Sequence, residues 1–188
     1  MEVTMANQLA ETNGAVHVTR EDLVALLNEY LAREYQAVIS YVVYSKVIKG
    51  APYMNIAAEL EKHAAEELSH ALILAGQIDY LGGMPVTEPQ PVRTSAKAED
   101  MLRFDLDAET DTIFHYRQRV RQCEALGEYA MAEHIRGILV QEQDHQVALA
   151  SALGVEVPNA ARRQTPIDEH SRINAGINRE MSLERAIQ

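Results

Sequence analysis

The 188-residue sequence predicts an all-α fold, an antiparallel four-helix bundle with one long crossover between the second and third helices. Two observations predict it. Glycine and proline are scarce and clustered, and between the clusters lie four long stretches rich in Ala, Leu, Glu and Gln, all good helix formers. The connections between these stretches are unequal. A few residues join the first to the second and the third to the fourth, which makes each pair antiparallel neighbours. About a dozen residues join the second to the third, enough to travel the length of a bundle.

The first helix is expected at 20–49. Thr19 with Asp22 three residues on resembles a capping box, with Asp in place of the usual Glu, and "GAP" at 50–52 ends the helix. The second is expected at 53–81, stopping at "GGMP". The following "GGMPVTEPQPVRTS" carries Pro85, Pro89 and Pro91, which favour an extended strap over a turn. The third is expected from Ser95 to Leu126, with Gly127 as a break, and the fourth at 128–153, ended by Gly154. The domain reading is therefore a tail at 1–18, the bundle at 19–154 and a polar C-terminal extension at 155–188. In the extension a short helix at 178–187 has only a weak apolar stripe, so no packed fifth helix is expected.

Composition limits the partners. A net charge of −11 argues against nucleic acid, which needs a basic surface, and suits the attraction of cations. Cys123 is the one cysteine, so neither an internal disulfide nor a CxxC pair exists, and it is expected to be a small buried apolar residue. No run approaches the ~18 apolar residues of a membrane span. The first residues lack a basic region followed by an apolar stretch, so a cytoplasmic protein is expected.

The chemistry lies in two short stretches. "EELSH" places Glu67 three residues before His70, and "QEQDH" places Glu142 three residues before His145. Three helical residues bring side chains to about 60° of one another and one turn apart, so both can reach one ion. Glu34 stands 33 residues before Glu67, and Glu109 stands 33 before Glu142. The chain thus reads Glu-x32-Glu-x-x-His twice, once per helix pair. Tyr41 follows Glu34 by seven residues and Tyr116 follows Glu109 by seven, two turns on and on the same face. This resembles a degenerate duplication of a helical hairpin.

Glu34 falls in a stripe with Leu27, Tyr30, Leu31, Val38 and Tyr41, while Arg33, Gln36 and Ser40 point elsewhere. Glu142 shares its face with Ile135, Ile138, Leu139 and Leu149. Four carboxylates in a core would be costly unless paired, and would repel or take up protons. Two divalent cations cancel their four charges, and two neutral imidazoles complete the coordination. A Glu from each of two helices with a Glu-x-x-His from each of the other two is the ligand pattern of di-iron bundles. Oxygen-rich ligands without a thiolate suit iron or manganese better than structural zinc.

At these residues the chain resembles the bacterioferritin-type members of the ferritin-like superfamily. The resemblance spans 20–153 and rests on "LNEYLAREYQAVISYVVYSKVIKG", "EKHAAEELSHALILAGQIDYLGGMP", "EDMLRFDLDAETDTIFHYRQRV" and "ILVQEQDHQVAL". It implies that Glu34 and His70 bind one metal, Glu109 and His145 the other, and that Glu67 and Glu142 bridge. It also implies ferroxidase activity, in which two Fe(II) bind and O2 or peroxide takes their electrons, for iron storage or detoxification. It implies a homo-oligomer, at least a dimer. Haem in this family is held by a methionine directly after the bridging Glu of the second helix. Leu68 stands there, so haem is not expected at that place. The alternatives are a di-metal oxidase or peroxidase of rubrerythrin or manganese-catalase type, without iron storage, and a plain helical bundle whose Glu and His are surface groups.

Tyr41 and Tyr116 are candidates for hydrogen bonds to ligand carboxylates or for electron supply, against the plainer reading of bundle tyrosines. His63, one turn before Glu67, is read as solvated, with an outer, transient metal site on an entry route as the alternative. Glu66 points about 100° away from Glu67 and is read as incidental. His115 and His134 are read as structural or exposed. His17 and His170 fall in the expected tails, and "ARRQ" at 161–164 is read as a solvated basic patch.

Overall fold

A computed structural model describes residues 18–160. His17, His170, the 161–164 patch and the expected 178–187 helix lie outside the described residues. Among those described, α1 is Arg20–Val47, α2 Met54–Tyr80, α3 Ala98–Ala125 and α4 Tyr129–Leu153, with one 3-10 turn at Ala51–Tyr53 and no strand. None of these helices is long and apolar enough to cross a membrane.

Local chemistry sets the helix ends. Thr19 Oγ1 accepts from the Asp22 amide at 3.1 Å while Asp22 Oδ2 accepts from the Thr19 amide at 3.0 Å, closing the capping box reciprocally. α1 stops at Val47 because Ile48 turns extended, at ψ 127°. α3 starts at Ala98 rather than at Ser95. Ser95 Oγ accepts from the Lys97 amide at 3.1 Å and donates to Asp100 at 2.8 Å, satisfying its polar groups in a turn outside the helix. α4 ends at Gly154, whose φ of 65° is the left-handed conformation that glycine adopts without steric cost.

α1 packs chiefly on α2 and α3 on α4, and the two hairpins meet through α1 with α3 and α2 with α4. At Gly83 an added Cβ would lie 2.4 Å from Val24 Cγ1, so only glycine lets the chain leaving α2 press against the start of α1. The strap then runs beside α1. Asn28 Nδ2 donates to the Met84 carbonyl at 3.1 Å, the Gln90 amide donates to the Ala32 carbonyl at 2.9 Å, and Gln36 Nε2 donates to the Pro91 carbonyl at 2.6 Å. Tyr44 finishes the series by donating to the Arg93 carbonyl. α3 is thereby delivered to the end of the bundle where α2 begins.

Two apolar clusters fill the bundle. One gathers Leu23, Leu27, Leu31, Leu74, Ile78 and Ile135, and the other Leu60, Leu102, Leu106 and Leu149. Burying each such side chain stabilises the fold by roughly 1.5–3 kcal/mol. Between the clusters the helices carry polar residues inward.

Candidate metal centre

The polar layer contains Glu34 on α1, Glu67 and His70 on α2, Glu109 on α3 and Glu142 and His145 on α4, none more than 4% exposed. Their ligand atoms form two groups, each within 4.8 Å: Glu34, Glu67, His70 and Glu142, then Glu67, Glu109, Glu142 and His145. Glu67 and Glu142 belong to both. His70 Nδ1 lies 3.1 Å from Glu67 Oε2, 3.3 Å from Glu142 Oε1 and 3.5 Å from Glu34 Oε2. His145 Nδ1 lies 2.8 Å from Glu67 Oε1, 3.4 Å from Glu142 Oε2 and 4.0 Å from Glu109 Oε1. Each imidazole therefore faces a three-carboxylate cup through Nδ1.

The other ring nitrogens are held from the opposite hairpin. His70 Nε2 is 2.7 Å from Gln141 Oε1, and His145 Nε2 is 2.8 Å from Glu66 Oε2. An oxygen acceptor at Nε2 favours the tautomer protonated there and leaves the Nδ1 lone pair free for a cation. Glu66 is thus not incidental. Its departure from the Glu67 direction aims it at the neighbouring α4 histidine. The tyrosines also reach across the bundle. Tyr41 donates to Glu109 and Tyr116 to Glu34, so each tyrosine serves the carboxylate of the other hairpin.

Electrostatics show what the site lacks without cations. Burial, reinforced by the Glu67 and Glu142 charges, pushes the Glu34 carboxyl well above its usual range. Burial and the charges of Glu142 and Glu67 do the same to Glu109. Burial also opposes ionisation of Glu67, but hydrogen bonds with His145 and His70 outweigh it and hold that group low. Burial disfavours a charged His145, yet Glu142 and Glu67 raise it to about 10, and His70 shifts in the same direction. Protons thus neutralise the crowded carboxylates. Neither oxygen of Glu142 has a well-aligned hydrogen-bond donor. Its oxygens face His70 Nδ1 at 3.3 Å and His145 Nδ1 at 3.4 Å, and two divalent cations between the cups would replace these ion pairs with direct ligation. The donor set fits Fe(II) or Mn(II).

Several neighbours depart from expectation. His63 is 6% exposed rather than solvated, because its ring stacks on His145 at 4.1 Å and meets the Tyr41 ring edge-on at 5.5 Å. Burial and the nearby His145 push its pKa down to about 4, so it is neutral. Ser40, placed outside the α1 stripe, is buried, and Val38 is only half-buried. Ser40, Tyr44, Arg93, Phe104 and Asp105 line a cleft between α1 and α3 that reaches Glu34 and Glu109, so this side of α1 faces α3 and Arg93 of the strap. His115 is half-buried against Tyr30, and His134 is exposed. Leu68 is exposed on α2, outside the site.

Four antiparallel helices with one crossover, enclosing two carboxylate–histidine cups that share two glutamates, define a ferritin-like bundle. The Ferritin-like domain model matches residues 24–155, and the chain belongs to this family. A bacterioferritin of Desulfovibrio desulfuricans is 29% identical over 131 residues, covering 67% of this chain and 73% of that one. A bacterial ferritin of Synechocystis is 25% identical over 135 residues, covering 71% and 86%. Among solved structures, a ferritin-like diiron-carboxylate protein of Bacillus anthracis superposes with a TM-score of 0.69 at 30% identity, covering 71% of this chain and 96% of its own. A dodecameric thioferritin of Bacteroides fragilis gives 0.67 at 25% identity, covering 73% and 87%.

Proposed function

We propose that the protein is a di-iron ferroxidase, which binds two Fe(II) per bundle and oxidises them with O2 or peroxide, for iron storage or detoxification. The pair of cups sharing Glu67 and Glu142 carries this reading. Glu34 and His70 hold one Fe(II), Glu109 and His145 the other, and the shared glutamates bridge. Four carboxylates and two neutral imidazoles balance two divalent ions, and no other charge in the layer has to change. Fe(II) is the substrate and supplies the electrons. The chain supplies geometry, and protons leave the imidazoles and carboxyls as the ions enter. The cleft between α1 and α3, with its buried Asp105 carboxyl, is an access path for small reactants. The reading includes a homo-oligomer, at least a dimer, in keeping with the dodecameric assembly of the B. fragilis relative.

Anaerobic Fe(II) addition followed by air tests the proposal. A fast phase consuming about two irons per chain is expected, followed in the near-ultraviolet. E67A and E142A should each abolish that phase, since each removes a group common to both cups. Fast two-iron oxidation that survives both substitutions overturns the reading.

A further inference from the structure

Glu34 and Glu109, Glu67 and Glu142, and His70 and His145 are each 75 residues apart. The same shift pairs Asp105, one turn before Glu109 on α3, with Tyr30, one turn before Glu34 on α1. Tyr30 belongs to the apolar core. An aromatic ring fills this place in one half of the bundle, so the acid in the other half answers to something besides packing.

Asp105 is more than nine-tenths buried, yet its Oδ2 has no hydrogen-bond partner. Leaving a buried carboxyl oxygen in that state is costly. Asp105 lines the cleft between α1 and α3 that runs to Glu34, Glu109 and both shared glutamates. Tyr41 and Tyr44 of α1, Glu67 of α2 and Arg93 of the strap are the titratable groups that interact with it electrostatically. Both phenols are engaged elsewhere, Tyr41 with Glu109 and Tyr44 with the Arg93 carbonyl. The Arg93 guanidinium lies 4.1 Å from the centre of the Phe104 ring. Burial first, then the Glu67 charge, pushes the Asp105 carboxyl well above its ordinary range, against an opposing pull from Arg93. The group therefore keeps a proton where an exposed aspartate has lost its own.

We propose that Asp105 is the proton donor to the oxidant in the α1/α3 cleft, a role that rests on the ferroxidase reading. With hydrogen peroxide the balance is as follows. Two Fe(II) give one electron each, the O–O bond breaks, and the two oxygens become hydroxide. Two protons turn these into water. Asp105 gives one and becomes a carboxylate, and solvent gives the other. Arg93 favours the carboxylate until solvent restores its proton. General acid catalysis of this kind accelerates a step by about 10²–10⁴-fold.

Anaerobic stopped-flow oxidation of the Fe(II)-loaded full chain by hydrogen peroxide tests the role. D105N keeps the shape of the side chain and removes the acid. It should bind two Co(II) per chain with unchanged affinity and oxidise Fe(II) about 100-fold more slowly. D105A opens space in the cleft, and formic acid should restore much of its rate while leaving that of the unsubstituted chain unchanged. A D105N rate equal to that of the unsubstituted chain overturns the proposal. So does weakened Co(II) binding in D105N, or a D105A rate that formic acid does not raise. An unsubstituted chain without a fast phase overturns the ferroxidase reading and this role together, whereas a normal fast phase in D105N overturns this role alone.

Discussion

The two cups are built from the same residue types, yet their surroundings differ. The His70 cup is backed by a carboxamide, Gln141, and the His145 cup by a carboxylate, Glu66. An imidazole whose Nε2 proton points at a charge is a stronger donor at Nδ1 than one pointing at an amide. The two halves carry the same residue types, and the residue just before each shared glutamate makes their surroundings unequal. The His145 cup should therefore hold its cation more tightly than the His70 cup.

Breaking one cup at a time is the strongest test. E34A and E109A should each lower stoichiometry in the two cups from two ions to one, measured by anaerobic Co(II) titration. The ion left in E34A, which sits at His145, should bind about 10–100-fold more tightly than the ion left in E109A. Equal affinities would remove the asymmetry. Exchanging the backing residues should act through the same contact and shift affinity by the same factor, about 10–100-fold. E66Q should weaken the His145 position and Q141E should strengthen the His70 position, each resolved by competition with a chelator.

A pH series separates the metal-free and loaded forms. A folded-state pKa of about 10 for His145, above the ~6.5 of an unfolded chain, gives stability that is full below pH 6.5. That stability is lost as pH rises towards 10. The raised Glu34 and Glu109 carboxyls act in the same sense, beginning from the unfolded value near 4.3. Thermal melts of the metal-free protein should fall across pH 6.5–10, while the stabilisation added by metal should grow as ligands deprotonate. The smallest effect should come from the crossed tyrosines. Y41F and Y116F each remove one buried hydrogen bond and should cost about 1 kcal/mol in urea unfolding of the metal-free protein.

Helix positions were readable because Gly50, Gly83, Gly127 and the strap prolines interrupt an otherwise continuous helical composition. The convergence of six side chains was readable because Glu-x32-Glu-x-x-His repeats. What escaped depends on contacts between helices. Glu66 looks peripheral on its own helical wheel, and only the antiparallel neighbour α4 brings His145 to it. One signal was available, since Glu66 and Gln141 occupy the same place in both repeats. The burial of His63 and Ser40 carries no such signal. It arises from ring stacking on α4 in one case and from the cleft shared with α3 in the other, neither of which a single-helix pattern contains.

The strap along α1 has a further consequence. Neither hairpin alone owns a complete cup, because each cup draws ligands from both. Two separate hairpins would have to meet at a rate set by their concentration. Stitched to α1 by Asn28, Ala32, Gln36 and Tyr44, the strap turns that encounter into an intramolecular one. Assembly of the two cups is thereby uncoupled from how much of the protein is present. Cutting the chain between Val86 and Gln90 should make site assembly depend on dilution.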